Sequence, residues 1–294
     1  MEDFHGYPVK RLSSNVLELD CLATAGPRIV RLRYKGSANL LAEVPELSVP
    51  TPYGAYRSLG GHRLWFAPEA MPRTYFPDGE GLVATDLPNG VRLEGRTEAA
   101  TGIHKRIDVL LQRDKAEVRL THSLTNEGLW TVELAPWALT MFRLGGAAIL
   151  PIRATNETTD DLLPNRNVVL WPYTRLHDTR LHLQDEFVVV KPRPDMRPFK
   201  IGAFSQQGWL AYWLDGVLFR KSFAVQPGLP HPDYHCNAEL YCDSHFIELE
   251  GLGPLCKLEP GGSVSFEETW QLYDNLEQEF LTEEMVALCA EKGS

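Results

Sequence analysis

The sequence predicts an all-β architecture, a β-sandwich or barrel, on three observations. Short runs with apolar residues at alternate positions recur along the chain, turn-forming clusters separate many of them, and a helical stripe shows only at the tail. Alternation marks a strand because successive side chains leave the backbone on opposite faces.

In chain order, strands are expected at Val16–Leu22, Ile29–Tyr34 and Val91–Glu94. Asp86-Leu87-Pro88-Asn89-Gly90 precedes the third, and its Asn-Gly pair tolerates the positive φ of a tight turn. Ile107, Val109 and Leu111 alternate with Asp108, Leu110 and Gln112; after Asp114-Lys115-Ala116 the alternation resumes at Val118–Thr121, which reads as a hairpin. Further strands are expected at Phe187–Val190, Leu210–Trp213, Val217–Phe219 and Val264–Leu272. At the tail, Thr282 is a helix N-cap before Glu283–Lys292, with Met285, Val286, Cys289 and Ala290 on one face. No linker and no internal repeat divides the chain, so residues 1–294 are read as a single domain.

Composition narrows the function. With 294 residues, 44% hydrophobic and 23% charged, the chain can bury a substantial core. A net charge of −10 argues against nucleic acid and against anionic membrane surfaces as partners. No apolar run approaches the roughly 20 residues of a membrane span, and Met1–His5 has no signal-peptide character. The five cysteines (Cys21, Cys236, Cys242, Cys256, Cys289) contain no CxxC pair, which suits reduced thiols in the cytoplasm. The sequence assigns no oligomeric state.

Three segments carry candidate chemistry. In Cys242-Asp243-Ser244-His245-Phe246-Ile247-Glu248-Leu249-Glu250, alternation puts Glu248 and Glu250 on one face with Phe246, and Ile247 with Leu249 on the other. Carboxylates at that spacing lie roughly 6–7 Å apart, and enclosure would raise at least one pKa toward that of a general acid or base. The plainer alternative is a half-buried strand showing its acids to water. In Tyr56–Glu69, the Gly60-Gly61 pair permits positive φ or close backbone approach. Arg57, His62 and Arg63 there supply donors and Trp65 an apolar ring face, a mixture that suits a sugar, or else a bulge beside a core tryptophan. In His231-Pro232-Asp233-Tyr234-His235, proline argues for a loop. Surface or substrate-binding histidines are preferred there over a metal held by His231, Asp233 and His235.

Other features are weaker. Lys191–Lys200 is a proline-rich basic run that could meet a phosphate or carboxylate, and Trp171, Tyr173, Trp209 and Trp213 are rings on which a sugar could stack. Neither GxGxxG nor GxSxG occurs, so no cofactor and no metal centre are expected.

Four places resemble the galactose mutarotase (aldose 1-epimerase) superfamily, above all an uncharacterised bacterial branch. Gly60-Gly61-His62-Arg63-Leu64-Trp65-Phe66-Ala67-Pro68 is similar to the Gly-Gly-x-Pro-x-x-Trp-Pro segment of hexose-6-phosphate epimerases. Leu124-Thr125-Asn126 resembles the family's Leu-Thr-Asn strand end, and Tyr234 to Pro254 resembles the branch's Tyr-Pro-Asp…Glu-Leu-Glu-x-Leu-Gly-Pro-Leu block. Leu258-Glu259-Pro260-Gly261 matches the Leu-x-Pro-Gly turn before the last long strand.

The resemblance implies a β-supersandwich that binds a small-molecule sugar on a large curved sheet. It implies Glu248 as the catalytic base, with Glu250 as runner-up; the substrate contacts expected are Arg57, Arg63, Trp65, Tyr234, Asp243 and Glu250. The family's catalytic histidine has no counterpart: Leu139 stands in its place, in Leu134–Phe142, and an alkyl chain has no proton to donate. His62 and His235 are the candidate substitutes, Tyr234 less so. The function expected is a carbohydrate-binding protein that interconverts sugar anomers. The alternatives are a non-catalytic sugar-binding or regulatory module, or a hexose-6-phosphate epimerase using Arg57, Arg63, Arg73 and Arg197.

Overall fold

Apolar and polar alternation across many short strands leaves each sheet with one greasy face, and the two greasy faces cover one another. The computed structural model describes residues 3–154 and 162–274. Among these, an eleven-stranded and a ten-stranded antiparallel sheet face each other, with a separate two-stranded hairpin, Glu43–Thr51 with Gly54–Gly60. The main core draws from both large sheets: Leu64, Ile201, Ile247 and Leu249 from one, Val109, Leu120, Phe219 and Trp270 from the other. This is a β-sandwich, as expected.

The expected strands are all present; Phe187–Val190 keeps its bounds, the first begins at Leu17, and the others run longer. The hairpin runs Ile103–Leu111 and Glu117–Asn126, with Val109 opposite Leu120. Asn89 takes a positive φ of 62° in the turn from Val83–Leu87 into Gly90–Glu94. The tail helix falls outside the described residues; among the described residues no helix is long and apolar enough to cross a membrane.

Two segments differ from expectation. His62–Ala67 is a fully buried central strand rather than a bulge, and Val132–Arg143 is a twelve-residue strand beside it. Both are apolar on both faces, and a strand covered on both faces loses the alternation that would reveal it. Gly60 and Gly61 admit the first of these. Their φ values are 96° and 72°, and a Cβ would come within 2.0 Å of Ala42 O at one and 2.1 Å of Ile29 O at the other. Position and conformation both demand glycine.

Candidate functional site

Five adjacent strands of the larger sheet carry the site: His62–Ala67, Val132–Arg143, Phe246–Leu252, Ala238–Cys242 and Phe199–Ala203, in that spatial order. Register aligns their side chains in rows. One row on the outward face reads Arg63, Leu139, Glu250, Glu239, Gly202. The next runs Met141, Glu248, Tyr241, Lys200. Between them, the row His62, Thr140, Leu249, Leu240, Ile201 points the opposite way, into the core.

Glu248 and Glu250 therefore do share a face, and it is enclosed: they are 6% and 0% exposed. Arg63 reaches diagonally past Leu139, its Nη2 donating to Glu248 Oε1 at 2.8 Å, while its guanidinium lies 4.3 Å from the Trp65 ring centre. Burial pushes the Glu248 carboxyl up to about 7, against the pull of Arg63 and with a push from Glu250.

Glu250 has other partners. Lys200 Nζ donates to its Oε2 at 2.9 Å, and Trp137 Nε1 donates to the same oxygen at 2.8 Å. The Lys200 ammonium also lies 2.8 Å from Glu239 Oε2 and sits between the rings of Trp137 and Trp171, at 4.8 and 4.7 Å. Burial opposes that charge, but Glu239 and Glu250 outweigh it and hold the lysine well above its ordinary range. Burial also drives the Glu239 carboxyl well above its usual range, opposed by Lys200 and helped by Glu250 and Asp233. Glu250 Oε1 is buried without a hydrogen-bond partner.

Above this face opens a cavity of about 660 Å³. Trp65, Trp137, Trp171, Tyr173 and Tyr241 give it aromatic walls, and Ser48 and Ser58 from the two-stranded hairpin close one side. Trp65 meets Trp137 and Tyr75 edge to face, with ring centres 5.4 and 4.9 Å apart. Aromatic faces beside a few convergent polar groups match a sugar's C–H faces and hydroxyl edges.

The structure gathers some of the expected residues and separates others. Arg63, Trp65, Asp243, Glu248 and Glu250 all line the cavity. Asp243 also has a local task, its Oδ1 accepting the backbone N–H groups of His245 and Phe246 at the turn into the carboxylate strand. Arg57 is exposed on the hairpin, and the cavity lining takes its neighbour Ser58 instead. His235 stacks on Phe204, with ring centres 4.6 Å apart, away from the lining. Tyr234 is 90% exposed and borders a separate hollow of about 340 Å³, beside Trp171.

His62 requires a correction. It neighbours Arg63 on one strand, so the two cannot share a face, and the ring is completely buried between the sheets. There it forms a closed polar cluster. His122 Nδ1 donates to Phe266 O at 2.9 Å, so His122 Nε2 accepts from His62 Nε2 at 2.7 Å, and Thr140 Oγ1 donates to His62 Nδ1 at 2.9 Å. Burial holds both imidazoles below their ordinary pKa, His62 well below it. His62, His122 and Glu268 are close enough to hold a metal ion, their ligand atoms lying within 4.8 Å of one another. The Lys221 ammonium 2.7 Å from Glu268 already supplies the positive charge there.

Glu239 and Trp137 are site residues that sequence reasoning passed over, and Lys200 entered it only as the end of a basic run that could meet a phosphate or carboxylate. The signal for Lys200 was present: in Phe199-Lys200-Ile201-Gly202-Ala203 the apolar residues alternate toward the core, leaving Lys200 and Gly202 facing outward. Of the arginines considered for a phosphate, Arg63 is engaged by Glu248, Arg57 is off the lining, and Arg73 borders a different hollow with Phe66. Trp209 and Trp213 belong to the ten-stranded sheet and a separate apolar cluster.

No known family pattern and no curated protein sequence matches the chain. Solved structures do. A galactose mutarotase-like protein from Lactobacillus casei ATCC 334 superposes with a TM-score of 0.61 at 11% identity, over 90% of this chain and 100% of its own. A candidate aldose 1-epimerase from Escherichia coli K12 gives 0.57 at 16%, over 92% and 100%. The Slr1438 protein of Synechocystis sp. PCC 6803 gives 0.58 at 14%, over 92% and 96%.

Proposed function

We propose that this chain, with its galactose mutarotase-like fold, binds a free aldose in the cavity and interconverts its anomers. The observation that carries the reading is the pair Glu248 and Glu250, enclosed side by side beneath a cavity walled with tryptophan and tyrosine. Ring opening requires a base at the anomeric hydroxyl and an acid at the ring oxygen, two atoms bonded to one carbon. Glu248 suits the base, because a carboxyl near 7 exists in both protonation states at neutral pH. Arg63 steadies its ionised form.

The reading takes an unphosphorylated sugar. Arg63 and Lys200 already face carboxylates, which leaves Arg197 at the exposed rim as the lining cation outside such a pair among the described residues. A dianion would also meet Glu69, Asp243, Glu248 and Glu250 in the same walls.

Leu139 supports a second reading, a sugar-binding module without catalysis, since it places an alkyl group between Arg63 and Glu250. Magnetisation exchange between α and β anomers, run on a panel of free aldoses with binding calorimetry in parallel, separates the two. Faster exchange supports the enzyme and binding alone supports the module. If no sugar binds, both are wrong.

A further inference from the structure

We propose that Glu250 is the proton donor of the cavity, working opposite the Glu248 base; this rests on the ring-opening reading above. Among the described residues, the face contains three enclosed carboxyl groups, Glu239, Glu248 and Glu250, and two enclosed cations, Arg63 and Lys200. A buried cluster tends toward neutrality, and with Asp233 beside Glu239 the carboxyl groups outnumber the cations, so the cluster retains protons on its carboxyl groups. Lys200 bridges Glu239 and Glu250, so the two carboxyl groups share one cation.

Geometry selects Glu250 as the group that hands the proton to a ligand. Its Oε2 is tied down by Lys200 and Trp137, while its Oε1 is buried, lacks a partner and belongs to a side chain of the cavity wall. Glu239 is fully buried and outside the lining, so it stores charge rather than touching ligand. The Lys200 ammonium is held well above its ordinary range and is a poor acid. Leu139, directly opposite Glu250, has nothing to donate.

In the step itself, Glu248 takes the anomeric hydroxyl proton, the electrons of that O–H bond form the carbonyl, and the bond from the anomeric carbon to the ring oxygen breaks. Its electron pair stays on the ring oxygen, which takes the Glu250 proton. After rotation about the C1–C2 bond, the ring hydroxyl attacks either face of the carbonyl. Glu250 recovers its proton from that hydroxyl, and Glu248 returns its own to the carbonyl oxygen. Both carboxyl groups end as they began.

The test is Glu250→Gln, alone and combined with Leu139→His, which puts an imidazole beside the amide. Glu250→Gln should lower the anomer-exchange rate at saturating sugar by roughly 10²–10⁴-fold while calorimetry shows retained sugar binding, and Leu139→His should recover at least about tenfold of that loss. A wild-type rate in Glu250→Gln overturns the assignment and leaves the anomer-exchange reading standing. A loss that the imidazole does not repair also overturns it, by marking Glu250 as an anchor for Lys200 and Trp137. Inactive wild-type protein would sink both. If Glu250→Gln does not fold, Glu250→Asp decides: it keeps the acid but withdraws it by one methylene, so a rate equal to wild type would end the proposal.

Discussion

The Lys221 ammonium lies 2.7 Å from the Glu268 carboxylate, both side chains wholly shielded from solvent in the space between the two sheets. Lys221 also donates to Ala138 O at 3.0 Å and Leu249 O at 3.1 Å, so a residue of the ten-stranded sheet grips two strands of the other. Leu249 is the residue between Glu248 and Glu250. The pair thus fixes the strand that presents both acids. Removing one partner strands a buried charge, so Lys221→Met should cost about 3–5 kcal/mol. Lys221→Met with Glu268→Leu should recover most of that. Urea unfolding measures both, and a single variant within about 1 kcal/mol of wild type would refute the role.

Glu248→Gln keeps an acceptor for Arg63 and removes the ionisable group. Anomer exchange should fall by roughly 10²–10⁴-fold with the fold retained, since the amide oxygen can still receive the Arg63 Nη2 bond. Full activity in this variant, read by NMR exchange on fresh aldose, would remove Glu248 from the mechanism.

The pH dependence follows from the same carboxyl. Burial raises Glu248 from 4.5 to about 7, so the native state holds a proton that the unfolded chain releases at lower pH. More protons bound in the native state means stability falls as pH rises. This contribution is lost between about 4.5 and 7 and is level above that. Activity should move the other way, rising through pH 7 as the base ionises. Chemical unfolding across that range, compared with Glu248→Gln, isolates the effect; an unchanged slope in the variant would assign it elsewhere.

How much of this was legible depends on which faces of a strand are covered. Glu248 and Glu250 were readable because Ile247 and Leu249 alternate with them, and that single-faced pattern survives in the sequence. His62 was misplaced because Leu64-Trp65-Phe66-Ala67 shows no alternation: the core takes Leu64 and Phe66, and a second apolar cluster on the opposite face takes Trp65 and Ala67. With no visible period, His62 and Arg63 read as one set of donors. The Lys200–Glu239–Glu250 network joins three strands whose spatial order no local pattern encodes. Lys200 could be assigned a face, but not a partner.

His62 offers the sharpest contrast between core and site. His62→Leu keeps the volume roughly but leaves His122 Nε2 without its donor and the Thr140 hydroxyl with only the Lys221 ammonium, and each unmade buried hydrogen bond costs about 1–3 kcal/mol. The variant should therefore be destabilised by about 2–6 kcal/mol while the folded protein exchanges anomers at the wild-type rate. A pH signature accompanies this. Burial holds the His62 imidazole well below its ordinary 6.5, so the unfolded chain binds a proton that the native state refuses, and this stability is lost as pH drops below about 6.5. That slope is opposite in sign to the Glu248 contribution, and His62→Leu should remove its share of it. Unfolding curves at stepped pH values measure the slope, and exchange NMR on the same samples measures the rate. A folded His62→Leu protein with lost activity would return the imidazole to the chemistry.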